Sequence, residues 1–278
     1  MEQADREDIE IELLLDAMEH THGYDFRHYS RTSLKRRLIH RMKMSKLNRL
    51  SEMIPLVLYD EAFFELILGD LSISVTAMFR DKSVFNVIRD KIATTLQTYA
   101  RVNVWHVGCS TGEEVYSLAI LLQEEGLLDK TRLYATDFNK RSIAIAEKGI
   151  YSADKIDAYS KAYLDSGGND SLSNYYREAY DSIKINDSLR KNITFAHHNL
   201  VKDGQFAEMH LILCRNVLIY FDAQLQNQVL TLLHDSLIHR GFLVLGNKES
   251  LSFTAVQDGF EEFDRTNRVY RKLDITGS

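Results

Sequence analysis

The chain has 278 residues, 45% of them apolar, so it can bury a sizeable core and is not expected to be disordered. Its formal net charge of −6 argues against nucleic acid as the main partner. Cys109 and Cys214 stand far apart and in no metal-ligand spacing, which indicates reduced thiols in a cytoplasmic protein. Residues 1–12 are acidic and unlike a signal peptide, and no apolar run reaches the roughly 18 residues that predict a membrane span.

The first part of the chain shows the apolar spacing of helices. The patterns predict a helix that stops near Gly23, a strongly basic helix over residues 30–44, and one or two helices over residues 54–71. Asp81 begins a further helix, whose apolar residues are spaced for one buried face. That face carries Val84, Val87, Ile88, Ile92 and Leu96.

From about residue 100 the pattern changes to alternating strands and helices. Such alternation predicts an α/β fold with a parallel sheet and helices on both faces. Ligands of these sheets bind at the carboxyl ends of the strands, so we expect the functional residues just after each strand. The predicted strands are 102–107, 132–136, 193–197, 209–214 and 242–245, and the predicted helices are 113–125, 140–148 and 222–239.

The loop Gly108–Glu114 follows the first of these strands and is rich in small residues. Small residues let the backbone turn sharply and let a ligand approach it closely. Glu113 and Glu114 would repel pyrophosphate, so the loop does not suit a phosphate group. Asp137 ends the next strand, 25 residues after Gly112, where a carboxylate can accept hydrogen bonds from two ribose hydroxyls. A nucleoside without pyrophosphate meets both conditions, and S-adenosylmethionine is such a ligand.

The same loop leaves an alternative open. Gly108, Ser110 and Gly112 match the nucleophile elbow of serine hydrolases, and Asp137 could join a later histidine in a triad. Against this, the sequence has no HGGG-type oxyanion segment, the acid comes early for that fold, and the glutamates would place negative charge beside a developing oxyanion. The candidate histidines are His197, His198, His210, His234 and His239.

Five short segments follow one another along the chain. They are SVTAMFRD at 74–81, GCSTGEEVYSLA at 108–119, ATD at 135–137, CRNVLIYF at 214–221 and LGNKES at 245–250. After them, YRK at 270–272 is similar to a common ending. In this order and spacing they resemble the CheR family of chemotaxis receptor methyltransferases, and the resemblance covers about residues 20–273. It implies a helical, receptor-docking N-terminal domain over residues 1–72. It also implies a class I, Rossmann-like methyltransferase domain over 73–278, with a small antiparallel β subdomain inserted at 150–192.

The resemblance further implies S-adenosylmethionine as the cofactor, S-adenosylhomocysteine as the product, no metal ion, and a set of contact residues. Arg80 is expected to reach toward the carboxylate of the cofactor, Glu113 to meet its ammonium group, and Asp137 to accept from its ribose hydroxyls. Ser74 stands where family members usually have asparagine. The other implied contacts are Ser74 and Thr76 near the methionine portion, Asn199 and Leu200 at the adenine edge, and Asn216 and Val217 near the sulfonium.

The implied reaction is methyl transfer to glutamate side chains of a methyl-accepting chemotaxis receptor, which gives a glutamate methyl ester. A glutamate carboxylate has a reference pKa of about 4.3 and is ionised at neutral pH, so no general base is required. The enzyme must align the reacting atoms and exclude water, and Arg80 and Tyr220 are the candidate catalytic residues. A regulator that binds without turnover is the second hypothesis, which the intact contact residues disfavour.

The basic helix indicates how a partner could be recognised. Cationic residues crowd positions 31–49 of an otherwise acidic chain. A solvated charged face is the ordinary explanation, and nucleic acid is disfavoured because aromatic residues are not interleaved. In CheR proteins the matching helix docks on the helical bundle of the receptor, whose glutamates complement its charge. We therefore expect docking without membrane insertion, through Arg31, Arg36, Arg37, Arg41 and Lys43, with Arg37 and Arg41 one turn apart on a shared face.

Overall fold

A computed structural model describes residues 3–72, 76–201, 203–204, 206 and 208–274 of the chain. Two compact units are present. The first contains Met1–Ile73 together with Ile219–Gln228, and the second contains Ser74–Leu218 together with Val229–Ser278. The first unit is therefore built from two stretches of sequence that lie far apart.

The first unit is made of helices. They are α1 (Gln3–His22), α2 (Arg31–Met44), α3 (Met53–Tyr59) and α4 (Glu61–Leu71). Gly23, whose φ is 79°, ends α1, and Asp60 separates α3 from α4 by accepting a hydrogen bond from the Phe63 N–H at 3.1 Å. The predicted helical stretch 54–71 thus forms two helices. Their fully buried core includes Leu14, Met18, Leu38, Val57 and Ile67.

The segment Ile219–Gln228 completes this unit. Its Phe221 is 7% exposed and forms a β-bridge with Tyr29, and the two rings pack edge to face with centroids 5.0 Å apart. The Ser30 N–H donates to the Tyr220 carbonyl at 2.7 Å. The helical core is therefore closed by residues that follow the CRNVL motif.

In the second unit a helix interrupted by a π-helical turn precedes the sheet. It consists of α5 (Lys82–Val87), a π-helical turn over Ile88–Ile92, and α6 (Ala93–Gln97). In a regular helix of 3.6 residues per turn, residues spaced four apart shift gradually around the helix axis. The wider π turn offsets this shift. The predicted apolar positions consequently share one buried face, with Val84, Ile88, Ile92 and Leu96 at most 1% exposed.

The main sheet has seven strands in the order β6-β2-β1-β7-β8-β10-β9. Neighbouring strands from β6 to β8 are parallel, whereas β10 runs antiparallel to both β8 and β9. The strands are β1 (Val102–Val107), β2 (Thr131–Asp137), β6 (Ile193–His197), β7 (Met209–Cys214), β8 (Leu237–Leu245), β9 (Phe260–Asp264) and β10 (Val269–Lys272), and the helices between them include α7 (Glu113–Glu124), α8 (Lys140–Lys148) and α11 (Ala223–Ser236).

The predicted parallel sheet is present from β6 to β8, and the strand pair β9 and β10 adds an antiparallel edge to it. One predicted boundary was wrong. The helix predicted over 222–239 ends at Ser236, and β8 already begins at Leu237. Leu237 pairs with Met209, and the Lys272 ammonium donates to the Leu237 carbonyl at 2.8 Å, so strand pairing overrides the helical pattern.

A second, small sheet lies within residues 150–192. It is antiparallel with the order β3-β5-β4, where β3 is Ile150–Ser152, β4 is Tyr176–Ala179 and β5 is Ser182–Ile185. The helices α9 (Ile156–Asp165) and α10 (Asp187–Arg190) accompany it. This insertion agrees with the predicted β subdomain. In the described part of the chain, no helix combines the length and the apolar character that a bilayer crossing requires.

Candidate functional site

The carboxyl edge of the parallel strands brings several predicted site residues of the second unit together. In the strand register Val107 lies opposite both Thr136 and Cys214, and Asp137 lies opposite His197. The segments that follow β1, β2, β6 and β7 are therefore neighbours at this edge. They carry Gly108–Glu113, Asn199–Leu200 and Arg215–Val217, and Asp137 is the last residue of β2.

Two glycines shape the loop after β1. Gly108 has a φ of +62°, and a Cβ atom there would lie 2.5 Å from Cγ2 of Val217. Gly112 has a φ of +91°, and its Cβ would lie 2.8 Å from the Cβ of Ala146. Glycine is required at both positions, because the backbone is left-handed and neighbouring side chains fill the space. Val217, a predicted contact, thus packs directly on the loop.

Asp137 joins this loop to the end of β2. Its side chain accepts hydrogen bonds from the backbone N–H of Ser110 at 2.8 Å and of Asn139 at 2.9 Å. Asn139 itself caps α8, so the carboxylate of Asp137 is not needed as a helix cap. A carboxylate offers about four acceptor sites, and two of them remain for a ligand. Burial raises the pKa of Asp137, although the two N–H groups oppose the shift.

The two glutamates that begin α7 have different partners. Glu113 is 5% exposed and accepts a hydrogen bond from the Thr111 hydroxyl at 2.6 Å. Burial raises the pKa of Glu113, while the Thr111 hydrogen bond opposes the shift. Glu114 lies beside Arg215 at 2.7 Å and His106 at 3.2 Å. Because Arg215 neutralises Glu114, Glu113 is the carboxylate that suits a cationic ligand.

The backbone of the segment that carries Arg80 contacts Arg215, which follows β7. Phe79 and Asp81 both have positive φ, 51° and 54°, which is strained for non-glycine residues. The Arg80 carbonyl accepts a hydrogen bond from Arg215 at 3.2 Å. Thr76 is half-buried, and Ser74 lies outside the described residues.

The loop after β7 is anchored by one carboxylate. Glu249 accepts hydrogen bonds from the backbone N–H groups of Gly246, Asn216, Val217 and Leu218 at 2.6–3.0 Å. These bonds hold Asn216 at a φ of 60°. Burial raises the pKa of Glu249, although the four N–H groups oppose it. The predicted backbone contacts at Asn216 and Val217 are therefore fixed by a residue of the next loop.

The remaining predicted contacts lie in two places. Asn199 and Leu200 follow β6 and are half-buried, and the Asn199 N–H donates to the Asp203 carboxylate at 2.7 Å. Tyr220 belongs to the first unit, where the Arg37 guanidinium carbon lies 5.2 Å from the centroid of its ring.

Some cationic residues of the basic helix α2 contact α1 or α4, and others are exposed. Arg37 donates to the Leu71 carbonyl and Arg41 to the Asp70 carboxylate, both at 2.5 Å, so these two do share one face, which is turned toward α4. Arg31 pairs with Glu12 of α1 at 2.8 Å. Among the described residues, the side chains of Arg36 and Lys43 are exposed and form no ion pair or hydrogen bond.

The geometry gives the hydrolase alternative no support. The Ser110 hydroxyl is buried and has no hydrogen-bond partner among the described residues. Asp137 accepts from the Ser110 backbone and not from a histidine. His198, His210 and His234 hydrogen-bond instead to Gly204, Asn103 and Asp235, respectively.

Sequence reasoning missed three site residues. Arg215 and Glu249 stand inside the motif segments CRNVLIYF and LGNKES, but nothing in the letters shows that their side chains face neighbouring segments. Tyr151 of β3 donates its hydroxyl to the Thr111 carbonyl at 2.7 Å and so joins the small sheet to the glycine loop. Only the folded arrangement reveals the contacts to other segments, because the partners there are at least 31 residues away along the chain.

Two family models match the chain. The CheR methyltransferase, SAM binding domain, matches residues 74–269, and the CheR methyltransferase, all-alpha domain, matches residues 9–72. The chain belongs to the CheR methyltransferase family. This CheR chain is therefore a methyltransferase that uses S-adenosylmethionine.

Similar proteins include a Pseudomonas putida protein named as methyltransferase Cher3, which is 46% identical over 95% of this CheR chain and 97% of its own length. A Listeria innocua protein named chemotaxis protein methyltransferase is 28% identical over 82% of this chain and 85% of its own length. Among solved structures, N-methyltransferase NodS of Bradyrhizobium japonicum WM9 with S-adenosylhomocysteine is 13% identical, with a TM-score of 0.40, over 72% of this chain and 90% of that one.

The residues at the carboxyl edge fit this cofactor. Asp137 keeps acceptor sites for two hydroxyls, the buried carboxylate of Glu113 suits an ammonium group, and Gly108 and Gly112 let the loop turn sharply. When bound, S-adenosylmethionine supplies a methyl carbon on a positively charged sulfur. No group of three or more metal-ligand side chains occurs in the ranges that the structure describes.

The buried carboxylates predict the pH dependence of binding. We expect the affinity for S-adenosylhomocysteine to fall as the pH is lowered through the pKa values of Glu113 and Asp137. Both pKa values are raised, mainly by burial, so protonation begins at a higher pH than for a free carboxylate. Only an ionised Glu113 can pair with the ammonium group of the ligand, and only an ionised Asp137 keeps acceptor sites for both of its ribose hydroxyls. Calorimetric titration at several pH values measures this, and Glu113→Gln should bind more weakly and less pH-dependently. A flat wild-type profile would contradict the assignment.

Proposed function

We propose that this CheR chain transfers the methyl group of S-adenosylmethionine to glutamate side chains of a methyl-accepting chemotaxis receptor. The observation that carries the proposal is the pair of buried carboxylates, Glu113 and Asp137, beside the glycine loop that follows β1. Relatives from Listeria innocua and Vibrio parahaemolyticus are named chemotaxis protein methyltransferases, which supports the choice of partner. The product is a glutamate methyl ester, and the reaction takes place on the cytoplasmic part of the receptor.

The chemistry asks little of acid or base groups in the enzyme. The accepting glutamate, with a reference pKa of about 4.3, is ionised at neutral pH and needs no proton removed. The chain has to align that carboxylate and exclude water. We assign this alignment to Arg80, whose guanidinium can donate hydrogen bonds to a carboxylate. Tyr220 stays a separate prediction, because its phenol can also donate one.

The proposed docking surface consists of Arg36, His40 and Lys43 on α2. These residues are exposed, and their spacing of four and three places them on one helix face. Arg31 stays 38% exposed despite its ion pair with Glu12, so it can also meet a partner. Arg37 and Arg41 serve mainly to bind the end of α4. Charges at the edge of an interface chiefly raise the rate of encounter with an acidic partner.

The direct test is transfer of tritiated methyl from S-adenosylmethionine to the purified cytoplasmic fragment of a chemotaxis receptor. Base hydrolysis then releases methanol from a methyl ester and leaves an N-methyl group in place. We expect base-labile label on the receptor fragment and none after its labelled glutamates are changed to alanine. Binding of S-adenosylhomocysteine without transfer to the receptor would favour the regulatory hypothesis, and base-stable label would show a different acceptor.

Reversing the docking charges should weaken recognition of the receptor and leave the cofactor site intact. For Arg36→Glu combined with Lys43→Glu we expect kcat/KM for the receptor fragment to fall about tenfold at low salt. The loss should shrink as salt is added, because exposed charges are screened. The affinity for S-adenosylhomocysteine should stay unchanged.

The matched control reverses two exposed lysines of the second unit, Lys148 and Lys191, to glutamate. It changes the net charge equally and should leave kcat/KM within about twofold, because it alters no proposed docking residue. Equal losses in both double variants would show that net charge matters and that the surface on α2 does not.

A further inference from the structure

Arg215 is a buried arginine that joins three segments of the second unit. Its side chain is fully buried. One terminal nitrogen donates to the Glu114 carboxylate at 2.7 Å and to the Arg80 carbonyl at 3.2 Å. The other donates to the Asp81 carboxylate at 2.5 Å. A single guanidinium thus fixes the segment at Arg80, the first turn of α7 and the end of β7 relative to one another.

The turn held by Arg215 is one that would not persist unaided. Phe79 and Asp81, on either side of Arg80, both have left-handed backbone conformations. Such residues keep this conformation only where the surroundings impose it. The Phe79 N–H donates to the Ser117 hydroxyl at 2.8 Å, and Arg215 binds the next two residues. The direction in which the Arg80 side chain leaves the backbone therefore depends on Arg215.

We propose that Arg215 is a positioning residue for the methionine end of the cofactor, acting by holding the backbone of Arg80 in a binding-competent turn. The inference rests on the proposed contact between Arg80 and the cofactor carboxylate. Glu114 completes the arrangement. It neutralises the charge of Arg215 and immediately follows Glu113, so the proposed partners of the carboxylate and the ammonium group belong to one connected network.

A purely structural role is the competing explanation, and the chain provides a matched comparison. Arg89 also bridges two carboxylates, Glu124 at 2.7 Å and Glu125 at 2.8 Å, and its side chain is 9% exposed. Glu124 ends α7 and Glu125 follows it, whereas Glu114 lies in the first turn of the same helix. Arg89 and Arg215 thus brace opposite ends of one helix, but only Arg215 touches the segment of Arg80.

The experiment compares Arg215→Lys and Arg215→Met with Arg89→Met by calorimetric titration against two probes. S-adenosylhomocysteine carries the carboxylate and ammonium groups, and 5′-methylthioadenosine lacks both. For Arg215→Met we expect the affinity for S-adenosylhomocysteine to fall about 10–100-fold, as for other residues that orient a direct ligand. Affinity for 5′-methylthioadenosine should change less than twofold, and Arg89→Met should leave both unchanged. Arg215→Lys keeps the positive charge but lacks the two terminal nitrogens of the guanidinium. Its affinity for S-adenosylhomocysteine should fall, by less than in Arg215→Met, and its affinity for 5′-methylthioadenosine should not. If Arg215→Met does not fold, Arg215→Lys replaces it in the test.

A double-mutant cycle separates positioning from packing. Arg80→Met should show the same selective loss, and adding Arg215→Lys to it should cost little more, because both changes remove one interaction. Equal losses for both probes, additive losses, or unchanged binding in Arg215→Lys would overturn the proposal. If wild type binds 5′-methylthioadenosine and S-adenosylhomocysteine equally well, the contact assigned to Arg80 is wrong, whatever the variants do.

Discussion

Replacing Glu249 by alanine should lower the free energy of unfolding by about 4 kcal/mol, because four backbone donors, two on buried and two on half-buried residues, lose their acceptor and each unpaired buried donor costs about 1–3 kcal/mol. The four donors are the N–H groups of Gly246, Asn216, Val217 and Leu218. Urea unfolding measures the change, and the midpoint should fall while the slope stays constant.

The glutamine variant sharpens this test. Each carboxylate oxygen of Glu249 accepts from two N–H groups, so an amide in either orientation turns its NH2 group toward two donors. Glu249→Gln should therefore lose about half as much stability as Glu249→Ala. Glu262 on β9 is exposed, and Glu262→Ala should change the free energy of unfolding by no more than about 0.5 kcal/mol. A loss in Glu249→Ala as small as that of the control would show that other groups satisfy the donors.

Asp137→Ala should reduce the affinity for S-adenosylhomocysteine at least about 100-fold. Each hydrogen bond from a ribose hydroxyl to a carboxylate is worth about 1.5–3 kcal/mol, and two are expected to be lost. The loop should also loosen, because the N–H groups of Ser110 and Asn139 lose their acceptor. Calorimetric titration measures affinity, and thermal unfolding shows that the variant remains folded.

The control for Asp137 is Asp129, which lies just before the other end of β2. Its side chain is 90% exposed and pairs with Lys191 at 3.2 Å. Asp129→Ala should leave the affinity for S-adenosylhomocysteine unchanged, because Asp129 lies at the opposite edge of the sheet from Asp137. Its ion pair with Lys191 is exposed and contributes little to stability. Asp137→Ala with wild-type affinity would remove the nucleoside site from this edge.

The sequence reasoning succeeded wherever short-range pattern determines the outcome. Glycines with an acidic strand end indicated the nucleoside loop, and Gly108, Gly112 and Asp137 do lie together at the sheet edge. Apolar spacing located β1, β7 and most helices within a few residues. These features follow from backbone conformation and burial, which neighbouring residues largely specify.

The reasoning failed where distant segments decide the structure. The early end of α11 comes from the pairing of Leu237 with Met209, which no local pattern encodes. Charge alone gave Glu113 and Glu114 the same role, and the ion pair of Arg215 with Glu114 supplies the physical reason why Glu113 is the one left for a ligand. Arg37 and Arg41 likewise face α4, because the end of that helix supplies their hydrogen-bond acceptors.

The return of Ile219–Gln228 to the first unit has a consequence for biosynthesis. A ribosome that has made the first 73 residues must add residues 74–218 before this segment emerges, which takes roughly 7–30 s at 5–20 residues per second. Until then the helices lack Phe221, which is 7% exposed in the finished unit. The nascent helical bundle therefore waits with an uncovered apolar surface, and a fragment that stops at residue 72 keeps that surface permanently.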